Sequence, residues 1–176
     1  MNDENISLGT LLNGADGLRF VLVGGVAAVI EGAPIATFDL DIVPDRDPRN
    51  INRLMAALGE LKAHSRGRPT LRPTPDALQG SGYHLPMTRY GPLDVLGIIG
   101  KGRDFHALQP HARRCTLAGT RLHVLDLRTQ IAVNNIGGGD VARNWRNCRC
   151  SFPPNPRYVR YDRLCHLLQT SIAYTG

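Results

Sequence analysis

The sequence predicts an α/β (α+β) domain followed by an irregular tail, and three observations carry that expectation. Short apolar, β-rich runs alternate with helix-compatible segments between residues 19 and 133. Glycine and proline stand at most of the boundaries between them. After Val133 the pattern stops, and arginine, cysteine and proline take over. These shifts divide the chain into a domain over residues 1–133 and a basic tail over residues 134–176.

The elements follow in order. Residues 19–23, "RFVLV", read as a strand that Gly24 and Gly25 break. "VAAVIE" then reads as a short helix stopped by Gly32 and Pro34. "ATFDLDIVP" is a second strand, ended by Pro44. Asn50 is predicted to cap the next helix, whose apolar positions Ile51, Leu54, Met55, Leu58 and Leu61 recur at three or four residues and so share one face. Residues 64–82 are rich in proline, glycine and arginine and read as a surface loop with one turn of helix. "YHLPMTRYGPLDVLGII" reads as two strands joined at "RYGP". Residues 100–119 read as a connection, partly helical from Phe105 to Ala112. A strand from Arg121 to Leu125 precedes a helix capped by Asp126. Beyond Val133 the sequence predicts no regular structure except a short helix near "DRLCHLLQTSIAY".

Composition narrows the function classes. The chain has 176 residues, 42% of them hydrophobic and 20% charged, which is ordinary for a domain that buries a core. No apolar run is long enough for a membrane span. The start, "MNDENISLGT", is polar and acidic rather than a secretory leader, so a cytoplasmic location is expected. The net charge of +6 is concentrated in the tail, where six arginines from Arg143 to Arg163 face only Asp140 and Asp162. The tail's Trp145 among arginines raises an RNA-binding reading, against which stands a solvated, disordered tail. Cys115, Cys148, Cys150 and Cys165 lack the paired spacing of a zinc site and are expected to be reduced thiols. His84, His106 and His111 show no ligand spacing and are expected on the surface or in loops.

The chemistry is concentrated in "TFDLDIVPD". On a strand Asp39 and Asp41 point to one side while Phe38, Leu40 and Ile42 point to the other. Two neighbouring carboxylates repel each other, and a divalent cation offsets that repulsion. Asp94 sits between Leu93 and Val95 in another apolar strand, where a carboxylate needs a partner. If the two strands are adjacent, the three carboxylates converge on a site of hard oxygen ligands suited to Mg²⁺. Two such ions about 3.5–4 Å apart clamp the attacking and leaving oxygens of a phosphoryl transfer. Gly24 and Gly25 form a strand-to-helix turn of the kind that lets a phosphate approach the backbone. Thr37 is a candidate phosphate contact or a local backbone contact. A Rossmann reading fails, because no third glycine follows at the required spacing.

"LVGGVAAVIEGAPIATFDLDIVPD" with the later "GPLDVLG" resembles the DNA polymerase beta-like nucleotidyltransferase superfamily. The nearest resemblance is to small bacterial nucleotidyltransferase-like proteins, some of them from toxin–antitoxin or abortive-infection systems. It runs from about residue 18 to about residue 133. The resemblance implies a mixed sheet backed by helices, a phosphate-binding turn at Gly24 and Gly25, and metal ligation by Asp39, Asp41 and Asp94. It further implies that Asp94 helps activate the acceptor hydroxyl. The chain departs from the family at Ile35, where relatives carry a basic residue, and at Asn134 and Asn135 beyond the last helix. The expected function is Mg²⁺-dependent transfer of a nucleotidyl group from an NTP to a hydroxyl on a protein, an RNA end or a small molecule. The alternative is a non-catalytic nucleotide- or partner-binding component of a toxin–antitoxin pair.

Overall fold

The computed structural model describes residues 17–32, 37, 39–117 and 120–133. Among them is one mixed sheet of eight strands with helices on its faces, an α+β architecture. The strands are β1 (Phe20–Val23), β2 (Leu40–Pro44), β3 (His64–Ser65), β4 (Tyr83–His84), β5 (Pro86–Thr88), β6 (Gly91–Leu96), β7 (Ala112–Leu117) and β8 (Thr120–Leu125). The helices are α1 (Gly24–Ile30), α2 (Pro48–Glu60), α3 (Pro75–Gln79), α4 (Phe105–Leu108) and α5 (Leu127–Val133), with a 3₁₀ turn at Gln109–His111.

The sheet runs β3-β5-β6-β2-β1-β8-β7, and β4 also pairs with β6. β1 and β2 are antiparallel, whereas β2–β6 and β1–β8 are parallel. The alternation of the strands sorts their side chains into two layers. Leu22, Ile42, Leu93, Val95 and Val124 face Val26 and Ala27 of α1 and Ile51, Leu54 and Leu58 of α2. On the opposite face Val21, Val23, Val43 and Leu125 pack with Ile99, Phe105, Leu108 and Val133.

The structure corrects several expectations. Helix α2 is capped by Asp47, whose side chain accepts from the Arg49 N–H, with Pro48 in the first turn. Proline lacks an N–H and suits that position, so the start lies three residues before Asn50. Asn50 is instead buried: its Oδ1 accepts from Arg19 N at 2.7 Å, and its Nδ2 donates to Arg19 O at 2.8 Å and Asp45 O at 2.7 Å. It ties the entry of β1 to the exit of β2. The segment read as a loop over residues 64–82 contains β3 and α3. Tyr83–Thr88 forms two short strands, β4 and β5, rather than one. The segment read as a connection over residues 100–119 contains β7, which pairs with β8 along six positions. His84 lies in β4, and its Nε2 is buried without a partner among the described residues. Asp126 does cap α5, accepting from Thr129 N at 2.9 Å. The expectations for Ile35, for Cys148, Cys150 and Cys165, for Trp145 and for the whole of residues 134–176 lie outside the described residues.

Candidate functional site

Asp41 of β2 and Asp94 of β6 are direct register partners across parallel strands, so their side chains leave the same face of the sheet. Asp39 stands two residues before Asp41, just ahead of β2. One carboxylate oxygen from each of the three lies within 4.8 Å of the others. All three are half-buried. The β5–β6 hairpin that delivers Asp94 is fixed at its turn, where Thr88 Oγ1 donates to Gly91 O at 2.8 Å and accepts from Tyr90 N at 3.1 Å.

Gly24 and Gly25 form the corner over these acids. Gly24 has φ +67°, and a Cβ there would lie 2.1 Å from Asp41 Oδ2. Both the backbone angle and the contact demand glycine. A Cβ on Gly25 would lie 2.4 Å from Thr37 Oγ1. The Gly25 N–H donates to Asp41, and Thr37 Oγ1 donates to Asp39 Oδ1 at 2.8 Å. The residues singled out in the sequence (Gly24, Gly25, Thr37, Asp39, Asp41 and Asp94) therefore form one contact network.

Its electrostatics are unfavourable without a cation. Burial, and then the charges of Asp39 and Asp94, push the Asp41 carboxyl up to about 7. The Gly25 N–H and the Arg66 guanidinium offset this only in part. Burial also raises Asp94, while Arg66 opposes the rise. An oxygen-only donor set in which Asp41 and Asp94 are raised fits a divalent ion such as Mg²⁺, because the ion replaces the proton and removes the repulsion.

Two residues of this site were not legible in the sequence. Arg66, just beyond β3, forms an ion pair with Asp94 Oδ1. It came from a loop that also holds Arg68 and Arg72, with nothing to single it out. Gln130 of α5 lines a cavity that adjoins Gly24 and Asp41.

No family model matches the chain, and no curated protein matches it. A solved crystal structure from Thermotoga maritima, described as that of a "putative nucleotidyltransferase", is similar at 15% identity. The similarity covers 71% of this chain and 78% of that one, with a TM-score of 0.49. At that degree of likeness any functional reading rests on the carboxylates themselves.

Proposed function

We propose that the protein is a Mg²⁺-dependent nucleotidyltransferase that moves an NMP from an NTP to a hydroxyl acceptor. The observation that carries this reading is the meeting of Asp39, Asp41 and Asp94 within 4.8 Å beside the Gly24–Gly25 corner. In this reading the three carboxylates hold the metal. Bound there, Mg²⁺ would supply charge neutralisation for the phosphates and Lewis-acid polarisation of the phosphoryl group.

The acceptor oxygen forms a bond to the α-phosphorus, and the bond from that phosphorus to the bridging oxygen of pyrophosphate breaks. Pyrophosphate leaves with the bonding electrons. In this reading Asp94, the carboxylate to which the resemblance gives acceptor activation, would take the hydroxyl proton. Backbone groups of Gly24 and Gly25, with the Thr37 hydroxyl, orient the triphosphate. Catalysis comes from positioning and charge.

The test is incubation of α-labelled NTPs with Mg²⁺ and a cell lysate. Label should move to a protein, an RNA or a small molecule, and the transfer should fall by about 10²-fold or more in Asp41→Asn. The absence of transfer with every NTP and every acceptor fraction would defeat the enzyme reading.

One observation favours a second reading. Arg66 already occupies Asp94. A non-catalytic component, binding a nucleotide or a toxin or antitoxin partner, would keep that pair closed. Such a protein would bind NTP without consuming it.

A further inference from the structure

Arg66, Leu85, Asp94 and Asp41 form one row across the sheet. β4 pairs His84 with Val95 and β5 pairs Met87 with Pro92, in a single register on β6, so Leu85 stands opposite Asp94. Arg66 follows β3, and its N–H donates to Leu85 O at 3.0 Å. Asp94 in turn is the register partner of Asp41. Residues directly opposed on neighbouring strands share a face, so the row lies on the carboxylate face. The backbone of Arg66 is thereby pinned to the sheet, and its side chain reaches past Leu85 to Asp94 Oδ1.

This end of the row is open to solvent. Leu85 is 43% exposed, and Tyr83, the register partner of Leu96, is 61% exposed. The Arg66 side chain is 38% exposed. The guanidinium therefore leaves Asp94 without unpacking the core, and a ligand lying over the acids has access to it.

Charge decides where the guanidinium goes. Three carboxylates and a triphosphate carry more negative charge than two divalent ions offset. Among the described residues, Arg66 is the one positive group acting on both Asp41 and Asp94. A cation ligated by Asp94 repels the guanidinium from that carboxylate. Mg²⁺ in such sites is shared between carboxylates and substrate phosphates, with oxygens about 2.0–2.1 Å from the ion, so a phosphate on it lies beside the position that the guanidinium leaves. Arginine's planar fork matches phosphate as well as carboxylate.

We infer that Arg66 is a triphosphate-binding residue, held on Asp94 until metal and nucleotide arrive and then exchanging the carboxylate for a phosphate. This rests on the nucleotidyltransferase reading and adds to its site a residue that the resemblance does not assign. The Arg66–Asp94 pair is then the resting form of the site, not the mark of a non-catalytic protein.

Calorimetry on the full chain tests it with three probes: MgCl₂ alone, NTPs in MgCl₂, and inorganic tripolyphosphate in MgCl₂. Arg66→Ala should act in opposite directions, tightening Mg²⁺ alone by about threefold to tenfold and weakening NTP and tripolyphosphate by at least about tenfold. A merely structural role would weaken all three. Arg66→Lys, which keeps the charge without the fork, should recover part of the loss. Arg68→Ala removes an exposed charge two residues away and should leave all three unchanged. NTP binding that Arg66→Ala leaves intact, a loss that Arg68→Ala matches, or Mg²⁺ binding that Arg66→Ala weakens overturns this inference and leaves the nucleotidyltransferase reading standing. Failure of the unsubstituted chain to bind any NTP in the presence of Mg²⁺ overturns both.

Discussion

Arg66 and Asp94 share a hydrogen-bonded ion pair, so among the described residues one of the three clustered acids already has a cationic partner when the other two do not. The pair spans the hairpin that carries β6 and the segment that follows β3. It couples the site to a part of the chain far in sequence from the glycine corner. A metal ion must compete with the guanidinium for Asp94.

Removing the competitor has a predictable sign. Arg66→Ala should tighten Mg²⁺ binding in the absence of nucleotide by about threefold to tenfold, read by calorimetry. The guanidinium is 38% exposed, so the effect is kept modest by solvent screening. Unchanged or weaker Mg²⁺ binding would show that the pair does not compete with the metal.

The proton affinity of Asp41 gives a second prediction. Its carboxyl is raised from 3.8 to about 7, so the folded state holds a proton that the unfolded chain has released. Stability of the metal-free protein is therefore highest at low pH in this respect and declines as pH rises from about 4 to about 7. The rise in Tm on adding Mg²⁺ should grow between about pH 6 and about pH 8, as the proton leaves. Asp41→Asn should flatten the first dependence and abolish the second. Thermal unfolding across pH, with Mg²⁺ or with EDTA, checks both.

The glycine corner predicts an order of severity. Gly24→Ala meets both a 2.1 Å contact with Asp41 Oδ2 and a φ of +67°. Gly25→Ala meets only the Thr37 side chain, at 2.4 Å. Each should lower stability by about 1–3 kcal/mol in urea unfolding, with Gly24→Ala the worse. Equal costs would mean that the backbone angle at Gly24 is not constrained.

Asn50 supplies a test remote from the site. Its amide makes three hydrogen bonds between Arg19 and Asp45 in a buried position. Asn50→Ala should cost about 2–4 kcal/mol, because it leaves buried backbone groups without partners. A loss below about 1 kcal/mol would show that water replaces the amide.

What the sequence disclosed was local. The spacing of Asp39 and Asp41, the adjacent glycines and the apolar face of α2 are short-range patterns, and each stands where the pattern predicts. Asp94 was detectable as an acid in an apolar strand, but its register with Asp41 is a property of the sheet. Strand β7 escaped notice because "ARRCTL" carries Arg113, Arg114 and Thr116, all exposed, and so shows little of a buried strand's alternation. Gln130 reads as a solvent-facing helix residue until α5 is docked on the sheet. Arg66 had no local mark among its neighbouring arginines.

The parallel pairing of β8 with β1 has a consequence for shortened forms of the protein. All four residues of β1 are buried in the intact fold. A chain ending before Thr120 would present that strand's amides and carbonyls as an open, apolar border. Such a border recruits another strand, so fragments of this kind should self-associate and precipitate while still carrying every acid of the triad.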